Sequence, residues 1–176
     1  MQLHRKIISQ GERDGACFLY SMANSVMALT GKILKQDVWN DLIGALGDAT
    51  DFLRSDTGTL KIDADDQELT RFASLVLKHV SPRRLKLEVD CGPRPTEVSN
   101  ALSDSTVLVV TNNWHWFCIV DSDEQYCYAA CSAKLHENPL TYREELSPKY
   151  CRIYNDAFPL KELKVSKYRC LRISEA

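Results

Sequence analysis

No apolar run in the sequence approaches the roughly 18 to 20 residues needed to cross a bilayer, and Met1 to Gln10 lacks the apolar core of a signal peptide. The chain therefore reads as soluble and not exported by the general route. It also lacks an excess of charge of either sign, because 22 Lys and Arg stand against 24 Asp and Glu for a formal net charge of -2. No global field draws it to nucleic acid or to an anionic membrane. Seven glycines and six prolines are too few for a collagen-like or low-complexity chain, and a 44% hydrophobic content over 176 residues suffices for a real core. One globular domain spanning residues 1–176 is expected. There is no glycine-rich phosphate loop and no dinucleotide-binding fingerprint, so no nucleotide cofactor is expected.

Cysteine, by contrast, is plentiful. Seven occur, at 17, 91, 118, 127, 131, 151 and 170. An odd count in a chain large enough to fold without staples favours free thiols in a reducing compartment, with most of them acting as small core hydrophobes. The expected location is the cytoplasm, and an effector delivered by a non-classical route has the same signature. Cys127, Cys131 and His136 do not make a zinc site, since a strand holds the two thiols about 13 Å apart. The Asp63, Asp65 and Asp66 group lacks the turn glycine and terminal glutamate of a calcium loop and reads as helix capping.

Residues 17 to 29 are apolar on nearly every helical face and stop before Gly31, which predicts a central buried helix with Cys17 at its start. A second, amphipathic surface helix is expected over about 35 to 46, and a third from Asp65 or Asp66 to about Val80. Residues 48 to 65 read as a long loop lining a cleft. Past Pro82 the texture changes to short β-type runs: LKLEV, TVLVVT, WHWFCIV and QYCYAACS, with a small helix near 96 to 102. Alternation in LKVSKYRCLRIS adds one or two further strands. The fold class is α+β, with N-terminal helices packed on a C-terminal antiparallel sheet.

Three features stand out for chemistry: Gln10, the stretch Asp14-Gly15-Ala16-Cys17-Phe18-Leu19-Tyr20-Ser21, and Trp114-His115-Trp116-Phe117. A cysteine is a nucleophile as thiolate, and a helix N-terminus favours that form. Histidine, with a pKa near neutrality, suits the partner that takes the thiol proton and returns it to a leaving group. The two tryptophans beside His115 are expected to wall a cleft.

This layout resembles papain-like cysteine peptidases, particularly the small bacterial members: an upstream Gln, a Cys opening the central helix with an aromatic and a Ser after it, and a distant His-aromatic pair opening a strand. The resemblance implies a papain-like fold, Cys17 as nucleophile, His115 as base and acid, and Gln10 with the Cys17 N–H as oxyanion hole. It further implies a peptide or protein substrate and no metal or cofactor.

The family orients its His with an Asn or Asp on the next strand, and here the sequence departs from it. A turn near Ser122 to Glu124 places Ala129, Ala130, Cys131, Ser132 and Ala133 opposite His115. Ser132 is the expected orienter, with Glu137 or Asn138 as residues that return from the following loop. Asp121 is excluded, since six extended residues put it about 20 Å from His115. The reading is a cysteine hydrolase acting through a Cys-His pair on a peptide, isopeptide or amide bond. Two alternatives stand: an inactive papain-like domain that binds a protein, and a deamidase or acyltransferase effector using the same thiolate. A thiol redox or metal module rests on cysteine number alone.

Overall fold

A computed structural model describes residues 6–10, 15–47, 54, 58–59 and 66–176. Three helices come first: α1 (Cys17–Thr30), α2 (Gln36–Ala45) and α3 (Asp66–Val80). Most of the expected 48–65 loop, with Asp63 and Asp65, lies outside the described residues.

Helix α1 is buried from Cys17 to Val26 because it packs between α3 and the sheet. Its polar side chains survive burial by bonding the helix backbone, Ser21 Oγ donating to Cys17 O at 2.7 Å and Ser25 Oγ to Met22 O at 2.6 Å. Gly31 ends the helix in the left-handed conformation at φ 65°, as its position predicts. Helix α2 buries only Leu42 and rests Trp39 against Tyr20, ring centroids 5.1 Å apart. Its amphipathic pattern thus lays it on the surface.

The strands are β1 (Leu85–Asp90), β2 (Thr106–Thr111), β3 (Trp116–Ser122), β4 (Tyr126–Ala130), β5 (Glu145–Leu146), β6 (Ile153–Tyr154), β7 (Asp156–Pro159) and β8 (Cys170–Glu175). Six form one antiparallel sheet in the order β1-β8-β2-β3-β4-β7, and β5 pairs with β6. The final segment adds the expected further strands, β7 and β8 both joining the sheet, while residues 160–162 form a 3-10 turn after Pro159 and 163–169 stay outside it. Ser166 N instead donates to Thr111 O, which ties this loop to the end of β2.

The central strands are buried on both faces, so they read as continuous apolar runs. Val107, Val109, Trp116, Cys118 and Val120 face the helices, while Leu108, Val110, Phe117 and Ile119 face a second cluster with Cys131 and Leu163. All seven cysteines are free; Cys91 and Cys151 are exposed, and the other five sit in these cores. No helix among the described residues is long and apolar enough to cross a membrane.

Candidate active site

The N-terminal segment is held by a series of hydrogen bonds. Glu144 accepts the N–H groups of Lys6 and Ile7, and buried Asn24 of α1 both accepts from Ile8 N at 2.9 Å and donates to Ile8 O at 3.1 Å. Gln10 N then donates to Ser132 O at 3.0 Å, and Ser132 Oγ donates to Gln10 Oε1 at 2.9 Å. Gln10 and Ser132 therefore form one unit.

Cys17 is the first residue of α1, after Ala16, whose side chain supplies no cap. The helix end is met by Thr59, whose Oγ1 accepts from Phe18 N at 3.4 Å and donates to Gly15 O at 2.8 Å. The same oxygen lies 3.6 Å from Cys17 Sγ. With its one hydroxyl proton directed at Gly15, Thr59 can only accept from the Cys17 thiol. Gly58 permits this approach: at φ 31° its Cα lies so close to Gly15 that a Cβ would sit 2.6 Å from Gly15 O. On the other side, Trp116 N donates to Cys17 Sγ at 3.5 Å. The sulfur thus abuts the peptide bond that joins His115 to Trp116.

His115 directly precedes β3 rather than opening it. Asn112 holds it there, Oδ1 accepting from Trp114 N at 3.0 Å and from His115 N at 2.8 Å, in a turn where Asn113 takes φ 75°. As the first residue of β3, Trp116 turns its side chain to the helix face, where it is 1% exposed and packs edge-on against Phe18, whereas Trp114 lies in the preceding turn and is 92% exposed. Neither tryptophan walls a cleft as expected: one is core and the other lies in solvent.

The imidazole Nε2 lies 3.4 Å from Cys131 Sγ. β3 pairs with β4 with Cys118 opposite Ala130, so Cys131 follows on the side-chain face shared by His115 and Phe117. Ser132, one residue on, points to the other side and serves Gln10 instead. The expected Ser132 contact to His115 is absent for this reason of strand alternation. Asn155 fixes Cys131 by a two-point clamp on its backbone, accepting from Cys131 N and donating to Cys131 O, each at 2.8 Å. Glu137 lies in the short helix Lys134–Glu137 beside this cluster, and Asn138 caps it, its N–H donating to Lys134 O. Asp121 is buried elsewhere, accepting from Ser122, Lys149 and Tyr150 N–H groups.

Burial without a carboxylate partner lowers the His115 pKa to about 4. Burial also pushes the Cys131 thiol up to about 11, so it faces the ring as a neutral group. Sequence reasoning missed Asn112, Thr59 and Asn155; the Asn-Asn-Trp-His turn chemistry pointed to the first, and nothing in the sequence to the others. No group of three or more metal-ligating side chains occurs among the described residues.

No protein-family model and no curated protein sequence matches this chain. Among solved structures, it is similar to a double glycine motif protease from an AMS/PCAT transporter, in complex with the leader peptide, at 12% identity and a TM-score of 0.51, covering 99% of this chain and 96% of that one. The chain thus has an α+β, papain-like peptidase fold, with N-terminal helices packed on a six-stranded antiparallel sheet.

Proposed function

We propose that the protein is a cysteine hydrolase that cleaves a peptide or related amide bond through Cys17 and His115. The observation that carries this reading is the position of Cys17 Sγ, at the start of a buried helix and 3.5 Å from the N–H that follows His115. Both the helix end and that N–H favour a thiolate. With Nε2 donating to Cys131, Nδ1 carries the lone pair that takes the Cys17 proton.

The thiolate attacks the carbonyl carbon, a C–S bond forms, and the oxyanion is held by the Cys17 N–H and the Gln10 carboxamide. Ser132, by donating to Gln10 Oε1, fixes which end of that carboxamide is the donor. Collapse breaks the C–N bond, and His115 gives its proton to the leaving nitrogen. Water, deprotonated by His115, then releases the acyl group as a carboxylic acid and restores the thiol. Burial of the His115 ring opposes the Cys17–His115 ion pair, while the helix end, the Trp116 N–H and mutual attraction favour it. A solved protease of this fold holding a leader peptide supports a peptide ligand.

A second reading, an inactive papain-like domain that binds a peptide, is favoured by the neutral thiol that stands where the family places a carboxylate or carboxamide. The two readings separate in one experiment. The hydrolase reading predicts that p-nitrophenyl acetate acylates Cys17, seen as an acetyl adduct on its peptide by mass spectrometry, and that Cys17→Ala abolishes the burst. No adduct at Cys17 supports the binding domain.

A further inference from the structure

Behind the His115 ring lies a cavity of about 250 Å³ that the reaction as described does not use. Its floor is apolar, formed by Phe117, Phe158 and Leu163, the first two packed edge to face at 6.0 Å. Its rim carries three carboxylates, Glu137, Asp156 and Glu162, against Lys164. Lys134 neutralises Asp156 at 3.1 Å, which leaves Glu137 and Glu162 facing one lysine. His115 is the wall shared with the catalytic pair, since Cys17 lies on the helix side of β3 and the cavity on the Phe117 side.

That placement decides which part of a substrate meets the cavity. The acyl carbon must bond to Cys17 and the leaving nitrogen must reach His115. The residue that carries that nitrogen therefore lies against His115, which also lines the cavity. Resting on the hydrolase reading above, we propose that this cavity takes the side chain of the residue immediately after the scissile bond, and that this residue is Lys or Arg. A long aliphatic stem lies against Phe117 and Phe158, while its cationic head reaches the carboxylates that prevail among the charged lining residues. A short or acidic side chain gains neither contact.

The test is cleavage of a peptide library made by digesting a bacterial lysate at its acidic residues, with the full-length protein as enzyme and the newly formed N-termini read by mass spectrometry. Lys and Arg are expected to be enriched on the order of tenfold at the new N-terminus, and the double variant Glu137→Lys/Glu162→Lys is expected to shift that preference toward Asp and Glu. Cleavage with no preference at this position, or with a basic preference untouched by the charge reversal, overturns the inference while the hydrolase reading stands. Acylation of Cys17 by p-nitrophenyl acetate without any peptide cleavage also overturns it. Failure of both acylation and cleavage removes the hydrolase reading and the inference together.

Discussion

Cys131 Sγ faces His115 Nε2 at 3.4 Å. A neutral thiol can orient the ring but lends it no charge, which is why burial alone sets the His115 pKa at about 4. Cys131→Asp supplies that charge. The expected result is a rise of about one to three pKa units for His115, followed by NMR titration of its ring proton, and faster acylation of Cys17 near neutral pH. An unmoved titration excludes Cys131 as the ring's partner.

The depressed His115 pKa also makes the fold acid-sensitive. The unfolded chain takes up this proton near pH 6.5 and the folded chain only near pH 4, so between those values the unfolded state binds more protons and stability falls as pH falls. The loss is at most about 3 kcal/mol. Urea denaturation at intervals from pH 7 to pH 4 measures it, and His115→Gln, which has no such proton, is expected to show a flatter profile than the wild type over that window.

Asn112 acts on His115 through the backbone, accepting from the N–H groups of residues 114 and 115. It is a positioning residue. Asn112→Ala is expected to lower kcat by about tenfold with little change in KM, as the loss of one or two such hydrogen bonds implies. Asn112→Asp keeps both acceptor bonds and is expected to restore most of the rate; equal loss in both variants argues for a merely structural turn.

Gly58 and Gly44 should respond oppositely to alanine. At Gly58 a Cβ meets Gly15 backbone atoms at 2.6 to 2.8 Å with φ at 31°, so Gly58→Ala is expected to cost about 1 to 3 kcal/mol. Gly44 lies inside α2 with nothing within 4 Å of an added Cβ, and Gly44→Ala is expected to gain about 0.5 to 1 kcal/mol. Chemical denaturation of the two variants reads both signs.

Much of this architecture was legible because the signals are local. The unbroken apolar face of 17–26, the Gly31 stop and the β-type runs after Pro82 predict α1 and the strands that hold the site. The pairing of β3 with β4 was also within reach, since its turn falls at 123–125 as the turn residues suggest. What alternation decides one residue at a time was harder. Cys131 and Ser132 are neighbours, and the choice of which one meets His115 depends on a register that the bulge between Ile119 and Asp121 shifts. Residues 163–169 alternate like a strand but are held by the 160–162 turn and by Ser166 on Thr111, contacts with no sequence signature. Thr59 and Asn155 reach the site from distant parts of the chain, and only the folded arrangement brings them there.

The central claim is that Cys17 and His115 act as one acid-base pair, and the pH dependence of Cys17 alkylation by iodoacetamide tests it most directly. The other six cysteines serve as internal controls in peptide mass spectrometry, in wild type and in His115→Ala. The account predicts that Cys17 labels selectively, that its labelling persists well below the free-thiol pKa of roughly 8.5, and that the selectivity weakens without His115. Labelling of Cys17 no faster than the exposed Cys91 and Cys151, and indifferent to His115, contradicts it.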